Sequence, residues 1–350
     1  MDNKMTFQSS ELKKPKVDVA VLILFFIRKD TLQMVFNEVS RARPSKLFLF
    51  QDGARNTGDI SGIEACRKIV ADENIDWECE VHRNYQEHNL GCMTAGFHAH
   101  RWAFTLAEKV IILEDDVVPS LTFFQFCKEM LDRYENDERV TMISGFNMDE
   151  KTRDCPYDYF FTSAFSIWGW ASWRRVVSQW DEHLSFMDDS YNLTQLQQLI
   201  KARGYKRNFI RTCQLHRASG KPQFESIFWS HMMLSNGLAI MPSKNMVSNV
   251  GATATSAHYS ELDTLPRAVR QIFTMGRYDL TFPLRHPRYV TDNVAYQQRM
   301  YLYNAWDHPW IKMARSFEEL WLNLQHGNLK HIMKSINRRI LKWIGRENTI

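Results

Sequence analysis

The chain has 350 residues, of which 44% are apolar and 13% aromatic, enough to bury one large core or two ordinary ones. Its net charge of +4 is small, and its six cysteines form no CxxC pair and have no metal-ligand spacing. We therefore expect a globular protein of a reducing compartment without a cysteine-held metal.

The first third of the chain predicts an alternation of strands and helices. Residues 1–16 are polar and lack periodicity, so we expect a loose lead-in. The apolar run 17–27 is too short to span a bilayer and follows a polar segment, which favours a first strand over a transmembrane helix or signal peptide. Alternation of this kind predicts a mainly parallel sheet with helices on both faces. The later elements are a helix capped by Asp30, a strand over 46–50, a helix over 59–73, a strand over 77–82, a helix over 91–107 and a strand from Lys109.

Three consecutive acids, Glu114, Asp115 and Asp116, end the strand that begins at Lys109. Ligands of open α/β sheets bind at the carboxyl ends of the strands, so these side chains are expected to face a ligand. A hard divalent cation would relieve their mutual repulsion and bind phosphate oxygens as well. This pattern indicates a metal-bridged nucleotide. The alternative is that the acids are solvated and favour the positive end of the next helix.

Two common phosphate-binding fingerprints are absent from the sequence. The first strand is followed by Arg28-Lys29-Asp30 and not by GxGxxG, and no GxxxxGK[ST] occurs. We infer that any bound phosphates are held by cations.

The middle of the chain is rich in aromatic residues. The segment 157–173 places Trp168 and Trp170 around Gly169, which fits either a core or a wall on which a sugar ring can lie. The pattern then predicts helices over 192–203 and 225–235, separated by a basic loop with Lys206, Arg207 and Arg211. Strands follow over 238–241 and 245–250, and residues 252–258 resemble a flexible loop.

The sequence of the last forty residues predicts basic helices. Residues 311–350 contain eight Lys or Arg against three Glu, and Ile332, Ile336, Ile340 and Ile344 recur every four residues. This composition is typical of a helix lying on an anionic membrane. A helix packed on the protein body with a solvated basic face is the alternative.

Taken together, these residues resemble those of metal-dependent nucleotide-sugar glycosyltransferases of the GT-A type. The chain is most similar to the N-acetylglucosaminyltransferase that initiates complex N-glycans and to bacterial relatives that build surface polysaccharides. The resemblance spans about residues 17–260. The motifs that carry it are Phe26-Ile-Arg28, Gln51-Asp52-Gly53, His100-Arg-Trp-Ala103, Glu114-Asp115-Asp116, Trp168-Gly-Trp170, Glu225, and Asn249-Val-Gly251 with His258.

The resemblance implies a role for each matching residue on the donor side. Arg28 would contact the nucleotide diphosphate, and Asp52 would hold the base. Glu114 and Asp115 would contact the ribose and donor sugar. Asp116 would be the only direct protein ligand of the metal, Mn²⁺ or Mg²⁺, with diphosphate and water completing its shell.

Two further residues are candidates for the cleft. An inverting transfer needs a base on the side opposite the leaving group, and the resemblance points to Glu225. Relatives commonly place Asp there in a Trp-Asp context, whereas this chain has Phe224-Glu-Ser-Ile-Phe-Trp229, so a helix-starting Glu that merely favours the dipole is the alternative. His258 would approach the diphosphate or metal, or would simply be exposed on its loop.

The resemblance implies an inverting glycosyltransferase, a hexosyl- or N-acetylhexosaminyltransferase, that uses a UDP-sugar and a glycan or lipid-linked acceptor in polysaccharide or lipopolysaccharide synthesis. We expect a cytoplasmic protein, peripheral on the inner membrane. The implied domains are a lead (1–16), a catalytic domain (17–260) with nucleotide-binding (17–150) and acceptor-binding (151–260) halves, and a helical basic extension (261–350). The alternatives are a sugar-phosphate nucleotidyltransferase, although the chain has no glycine before Gly53, or a catalytically silent glycan- or membrane-binding protein.

Overall fold

A computed structural model describes residues 12–252, 262–328 and 332–333. Ten strands and eleven α-helices are defined within these residues. The strands are β1 (Val17–Phe25), β2 (Pro44–Gln51), β3 (Glu80–Tyr85), β4 (Lys109–Glu114), β5 (Val117–Pro119), β6 (Val140–Ser144), β7 (Tyr159–Thr162), β8 (Trp170–Trp173), β9 (Leu238–Pro242) and β10 (Val247–Asn249). The helices are α1 (Lys29–Ala42), α2 (Ile60–Ile69), α3 (Cys92–Leu106), α4 (Leu121–Arg133), α5 (Arg174–Val177), α6 (Ser190–Leu199), α7 (Arg203–Ser219), α8 (Phe224–Leu234), α9 (Arg267–Thr274), α10 (Val294–Tyr303) and α11 (Pro309–Gln325).

Eight of the strands form one central sheet in the order β3-β2-β1-β4-β8-β6-β9-β7. Strands β8 and β7 pair antiparallel with their neighbours, and the other six run in one direction. The remaining two strands, β5 and β10, form a separate antiparallel pair. The predicted fold class, α/β with a mainly parallel central sheet flanked by helices, is confirmed.

The sheet is buried on both faces because its inner strands are apolar on both sides. In β1, Val21 and Ile23 pack into the core beneath α1, α2 and α4, while Ala20 and Leu22 pack into the core beneath α3 and α8. A continuous apolar run is what a strand covered by helices on both faces requires. The period-two alternation of side chains thus divides one strand between two cores.

Most predicted elements are present, with shifts at their ends. The strand expected over 77–82 is β3, which begins at Glu80. Asp30 lies in the first turn of α1 instead of capping it, since the residue before the helix is Arg28 and its side chain makes no cap hydrogen bond. The expected basic loop was wrong: residues 203–219 form α7, whose buried residues Phe209, Cys213 and His216 give it an apolar stripe.

The sheet runs across the predicted boundary at residue 150. Strands β7, β8 and β9 all come from beyond that position and join the strands of the first half in one sheet. The C-terminal region is tied to the same sheet, because Asp292 bridges Phe161 of β7 and its carboxylate accepts a hydrogen bond from the Ser163 backbone N–H (3.0 Å). Part of the expected lead-in (1–11), most of the expected loop including His258 (253–261), and Ile336, Ile340 and Ile344 lie outside the described residues.

One buried side chain of α3 lacks the partner that a core histidine usually has. His100 is 2% exposed, lies against Phe224 (4.3 Å between ring centroids) and Trp170 (5.3 Å), and its Nδ1 has no hydrogen-bond partner among the described residues. Burial lowers the pKa of His100 from 6.5 to about 3. His100 is therefore a neutral core residue.

We expect His100→Leu to reduce the loss of stability in acid. The unfolded chain binds a proton on this imidazole below pH 6.5 and the folded chain does not until about pH 3, so stability falls as the pH is lowered through that window. Between pH 6.5 and about 4.5 the wild type should lose about 2–3 kcal/mol more unfolding free energy than the variant. Urea titrations at several pH values measure this. His98→Leu, an exposed site on the same helix, is the control, and equal pH slopes for wild type and His100→Leu would contradict the assignment.

Candidate active site

The acidic triplet lies where β1 and β4 end side by side. Leu24 of β1 is paired with Glu114, the last residue of β4. Asp115 and Asp116 form a turn between β4 and β5, so the backbone is not extended through all three acids. The backbone N–H of Phe26, just after β1, donates to Asp115 Oδ2 (3.2 Å). The carboxyl ends of two central parallel strands therefore hold the acids at one edge of the sheet.

Arg28 joins the two aspartates. Its Nη1 donates to Asp116 Oδ2 (2.8 Å), and its Nη2 donates to Asp115 Oδ1. The side chains of Asp115 and Asp116 are 4% and 10% exposed, so these ion pairs are largely shielded from water. Burial by itself lowers the pKa of Arg28, but the two carboxylates outweigh it and the pKa is raised above its ordinary value. Arg28 is a permanent cation between the two acids.

The β5–β10 pair presses the chain around Gly251 against Asp116. The Val250 backbone N–H donates to the Asp116 carbonyl (2.8 Å), and the Gly251 N–H donates to Asn249 Oδ1 (2.8 Å). A Cβ at Gly251 would lie 2.0 Å from Asp116 Oδ2, so only glycine fits here without moving the carboxylate. The same strand pair packs on Gly169, whose φ of +60° and closeness to Val247 also require glycine.

The Asp116 carboxylate keeps one oxygen open. Oδ2 accepts from Arg28, whereas Oδ1 is buried and has no hydrogen-bond partner among the described residues. A buried carboxylate oxygen without a donor is costly, which makes it a natural ligand for a cation or for a donor group of a bound molecule. No group of three or more His, Cys, Asp or Glu within the described ranges is arranged as a metal site, so any metal here would take few ligands from those residues.

Burial and, to a smaller extent, mutual repulsion raise the pKa values of Glu114 and Asp115. Burial, followed by the charges of Asp116 and Asp115, raises the pKa of Glu114 to about 8, with Arg28 offsetting part of this and Glu225 adding to it. Burial raises the pKa of Asp115 to about 6, again against the opposing effect of Arg28. One arginine thus does not neutralise the cleft, and additional positive charge would favour the ionised acids.

Glu225 lies near the acidic triplet. It lies in the first turn of α8, and its charge acts on both Glu114 and the thiol of Cys92 at the start of α3. Its neighbour Phe224 is buried and lies 3.6 Å from where a Cβ at Gly96 of α3 would be, which fixes α8 against α3. The fold therefore brings Glu225 and the triplet together across more than a hundred residues.

Cys92 belongs to this cleft although sequence reasoning did not identify it. Part of its surface is exposed, yet desolvation in the cleft, followed by the charges of Glu114 and Glu225, raises its pKa to about 12. The thiol is therefore protonated at neutral pH. Only its place at the N-terminus of α3 could have suggested its position.

Asp52 has a supporting position in this structure. Its carboxylate accepts hydrogen bonds from the backbone N–H groups of Gly53 (2.9 Å), Leu90 (2.8 Å) and Gly91 (3.0 Å) and from Asn89 Nδ2 (3.0 Å). Four bonds occupy the lone pairs of a carboxylate, so Asp52 has none directed at a nucleotide base. It instead ties the end of β2 to the loop that precedes α3.

Trp170 does not form a wall of the cleft. Its side chain is 1% exposed and stacks on Phe224 with an interplanar angle of 16°. The aromatic segment was interpreted either as core or as a wall for a sugar ring, and Trp170 belongs to the core. The reason is that β8 is an inner strand, and the face carrying this ring is covered by α8.

A cavity of about 660 Å³ lies on another side of α3. It is lined by Phe50, Asn84, Gln86, Arg101, Trp102 and Arg174 among others, and none of its lining residues belongs to the acidic triplet. The chemistry of the side chains, and not cavity size, therefore locates the candidate site at the ends of β1 and β4.

Comparison with known proteins gives structural likenesses only. The chain matches no protein-family model and no curated protein. Among solved structures it is similar to the glycosyltransferase GlyE of Streptococcus pneumoniae (10% identity, TM-score 0.28, 52% of this chain and 38% of that chain). It is also similar to mouse xyloside xylosyltransferase 1 (8% identity, TM-score 0.33, 62% of this chain and 81% of that chain). A third similar structure is the inositol-1-phosphate CTP transferase of T. maritima (7% identity, TM-score 0.37, 74% of this chain and 96% of that chain).

The first of these matches spans less than half of the GlyE chain. Identities and TM-scores at this level carry no information about the reaction. The function has to be judged from the cleft itself, with its three acids, its arginine and the facing glutamate.

We expect Gly251→Ala to weaken ligand binding at Asp116 without unfolding the protein. The added Cβ would overlap Asp116 Oδ2 at 2.0 Å and push the carboxylate away from Arg28. Calorimetric titration with UDP and Mn²⁺ should give at least about a tenfold loss of affinity. Gly96→Ala, whose Cβ would meet Phe224 at an ordinary 3.6 Å, is the matched control and should bind as the wild type does. Equal affinities for Gly251→Ala and wild type would remove Asp116 from the binding site.

Proposed function

We propose that the chain is an inverting, metal-dependent glycosyltransferase that moves a sugar from a nucleotide diphosphate donor, a UDP-sugar, to a glycan or lipid-linked acceptor. The observation that carries the proposal is the buried Asp116 carboxylate. One of its oxygens is paired with Arg28 and the other is open, in a cleft with more negative than positive charge. The divalent cation of such a donor would be a ligand for the open oxygen and would add positive charge among the acids, and the diphosphate oxygens would complete the shell of the cation.

The residues fit a hard cation such as Mn²⁺ or Mg²⁺. Asp116 Oδ1 would hold it, since carboxylate oxygens are the donors such ions prefer and this one has no other partner among the described residues. When bound, the ion would stabilise negative charge on the departing diphosphate. Arg28, which bonds Asp115 and Asp116 through one N–H of each terminal nitrogen, would donate to diphosphate oxygens with its other N–H groups.

The acceptor half of the reaction is assigned to Glu225. As general base it would take the proton of the acceptor hydroxyl while that oxygen attacks the sugar from the face opposite the diphosphate. Its position in the first turn of α8, close enough for its charge to act on Glu114, supports this role. Glu114 and Asp115 are proposed to contact the ribose and donor sugar, and His258 to approach the diphosphate. Asp52 is proposed to position the loop beside the base.

The finer assignments are a hexosyl or N-acetylhexosaminyl donor, an acceptor of surface polysaccharide or lipopolysaccharide, and a cytoplasmic location on the inner membrane. Support for the membrane location is the basic C-terminal segment 311–350. No helix among the described residues is long and apolar enough to cross a bilayer.

Asp116→Asn is expected to abolish Mn²⁺-dependent UDP binding. The amide keeps the shape but loses the charge that attracts the cation, so affinity measured by calorimetry should fall by at least about a hundredfold. Asp188→Asn, an exposed acid paired with Arg217, should change nothing. UDP binding by wild type that is equally tight in excess chelator would contradict a metal-bridged donor.

Glu225→Gln is expected to lower turnover by about 10²–10⁴-fold and leave UDP affinity nearly unchanged, because only the proton acceptor is lost. The assay is UDP release from a panel of UDP-sugars with added acceptors, and Glu64→Gln on the exposed side of α2 is the control. Pyrophosphate release from a nucleoside triphosphate and a sugar phosphate would instead identify a nucleotidyltransferase. UDP binding with neither reaction would identify a silent binding protein.

A further inference from the structure

Helix α11 packs on the rest of the protein with its polar side. Arg315 lies over the ring of Tyr303 (5.7 Å), and Glu318 accepts a hydrogen bond from the Arg267 backbone N–H (2.9 Å). Asn323, near the end of the helix, is 3% exposed and is its only fully buried residue. Charged and amide side chains therefore contribute contacts on this side of α11, together with the partly buried Ile311 and Leu322.

The opposite side of α11 is apolar and exposed. Its two tryptophans, Trp310 and Trp321, are 77% and 62% exposed, and Phe317 between them is 64% exposed. Spacings of three, four and seven residues place these side chains on one face of the helix. We call this the α11 aromatic face, and its members are Trp310, Met313, Phe317, Leu320, Trp321 and Leu324.

This orientation is the reverse of what an amphipathic helix normally adopts. A helix on a globular protein buries its apolar stripe and exposes its polar side, since burial of apolar area is the main stabilising term. A contiguous exposed patch that contains two tryptophans indicates a surface that another body covers. The question is what covers it.

Composition and charge favour a lipid surface. Tryptophan and phenylalanine with leucine are the side chains that enter the boundary between lipid headgroups and acyl chains. Residues 311–350, which begin in α11, have eight Lys or Arg against three Glu, a net charge of +5. Within α11 itself Lys312 and Arg315 balance Glu318 and Glu319, so the excess lies in the residues that follow in the sequence. A basic segment continuous in sequence with an aromatic face is complementary to an anionic bilayer.

The same charge disfavours a second copy of the chain. A two-fold dimer through the α11 aromatic face would place the face against itself, and each copy would carry the segment of net charge +5 that starts in α11. Repulsion between them would oppose association, whereas an anionic bilayer attracts both the charge and the aromatic side chains.

We propose that the α11 aromatic face is a membrane-binding surface that inserts its tryptophans into the headgroup region of an anionic bilayer. The inference rests on the membrane location proposed above and deepens it. It names α11 as the inserting element, in place of the isoleucine stripe that begins at Ile332. The basic residues that follow supply electrostatic attraction, and α11 supplies apolar insertion.

The test is sedimentation of the full-length protein with lipid vesicles. One set of vesicles is pure phosphatidylcholine, and the other contains about one quarter phosphatidylglycerol. Wild type should bind the anionic vesicles more tightly, and raised salt should weaken that binding. The double variant Trp310→Ala with Trp321→Ala should lose at least about tenfold in partition coefficient. Tyr191→Ala with Tyr289→Ala, which removes side chains 69% and 65% exposed elsewhere, should bind as wild type does.

Several outcomes would overturn the proposal. Wild-type protein that binds neither kind of vesicle would do so, as would a double tryptophan variant that binds as tightly as wild type. Light scattering that finds a dimer in wild type and a monomer in the double variant would identify the face as a self-association surface. Calorimetry with UDP and Mn²⁺ on the same proteins tests the proposed reaction separately from the proposed membrane binding. Unchanged UDP binding with lost vesicle binding supports both, whereas vesicle binding without UDP binding fails only the proposed reaction.

Discussion

The ion pairs of Arg28 with Asp115 and Asp116 are the interaction on which the candidate site depends. Two carboxylates this well buried repel each other and lose hydration, and the guanidinium offsets both costs with two directed hydrogen bonds. It does so incompletely, because burial and neighbouring charge still hold the pKa of Glu114 near 8. Arg28 thus stabilises the two aspartates in the absence of a ligand, and a bound cation would stabilise the ionised acids further.

Small residues make this arrangement possible. Glycines 169 and 251 let the β5–β10 pair approach the turn that carries Asp116, and a side chain at Gly251 would overlap the carboxylate. The close approach covers the Asp116 side chain and limits its solvation. Burial of the acid, and hence its demand for a cation, therefore follows from backbone packing as well as from the acid itself.

Two parts of the molecule differ in character. The acids at the ends of β1 and β4 are negatively charged, whereas α11 exposes aromatic rings and is followed in the sequence by a basic segment. A donor with its cation fits the first environment, and an anionic surface fits the second. On this proposal the net charge of the chain is small, but its uneven distribution gives the donor site and the membrane-binding surface opposite charge.

The sequence by itself determined the α/β class, because apolar runs such as β1 and helical stripes such as that of α1 are local patterns. It also located the acidic triplet at a strand end. Tertiary structure alone decided that Asp52 supports a loop, that Trp170 is core, that residues 203–219 are helical, and that Glu225 and Cys92 lie near Glu114. Those outcomes depend on which elements pack together over long sequence separations. Local residue types do not determine that packing. A side chain becomes buried, or a charge becomes paired, only after the helices and strands have packed together.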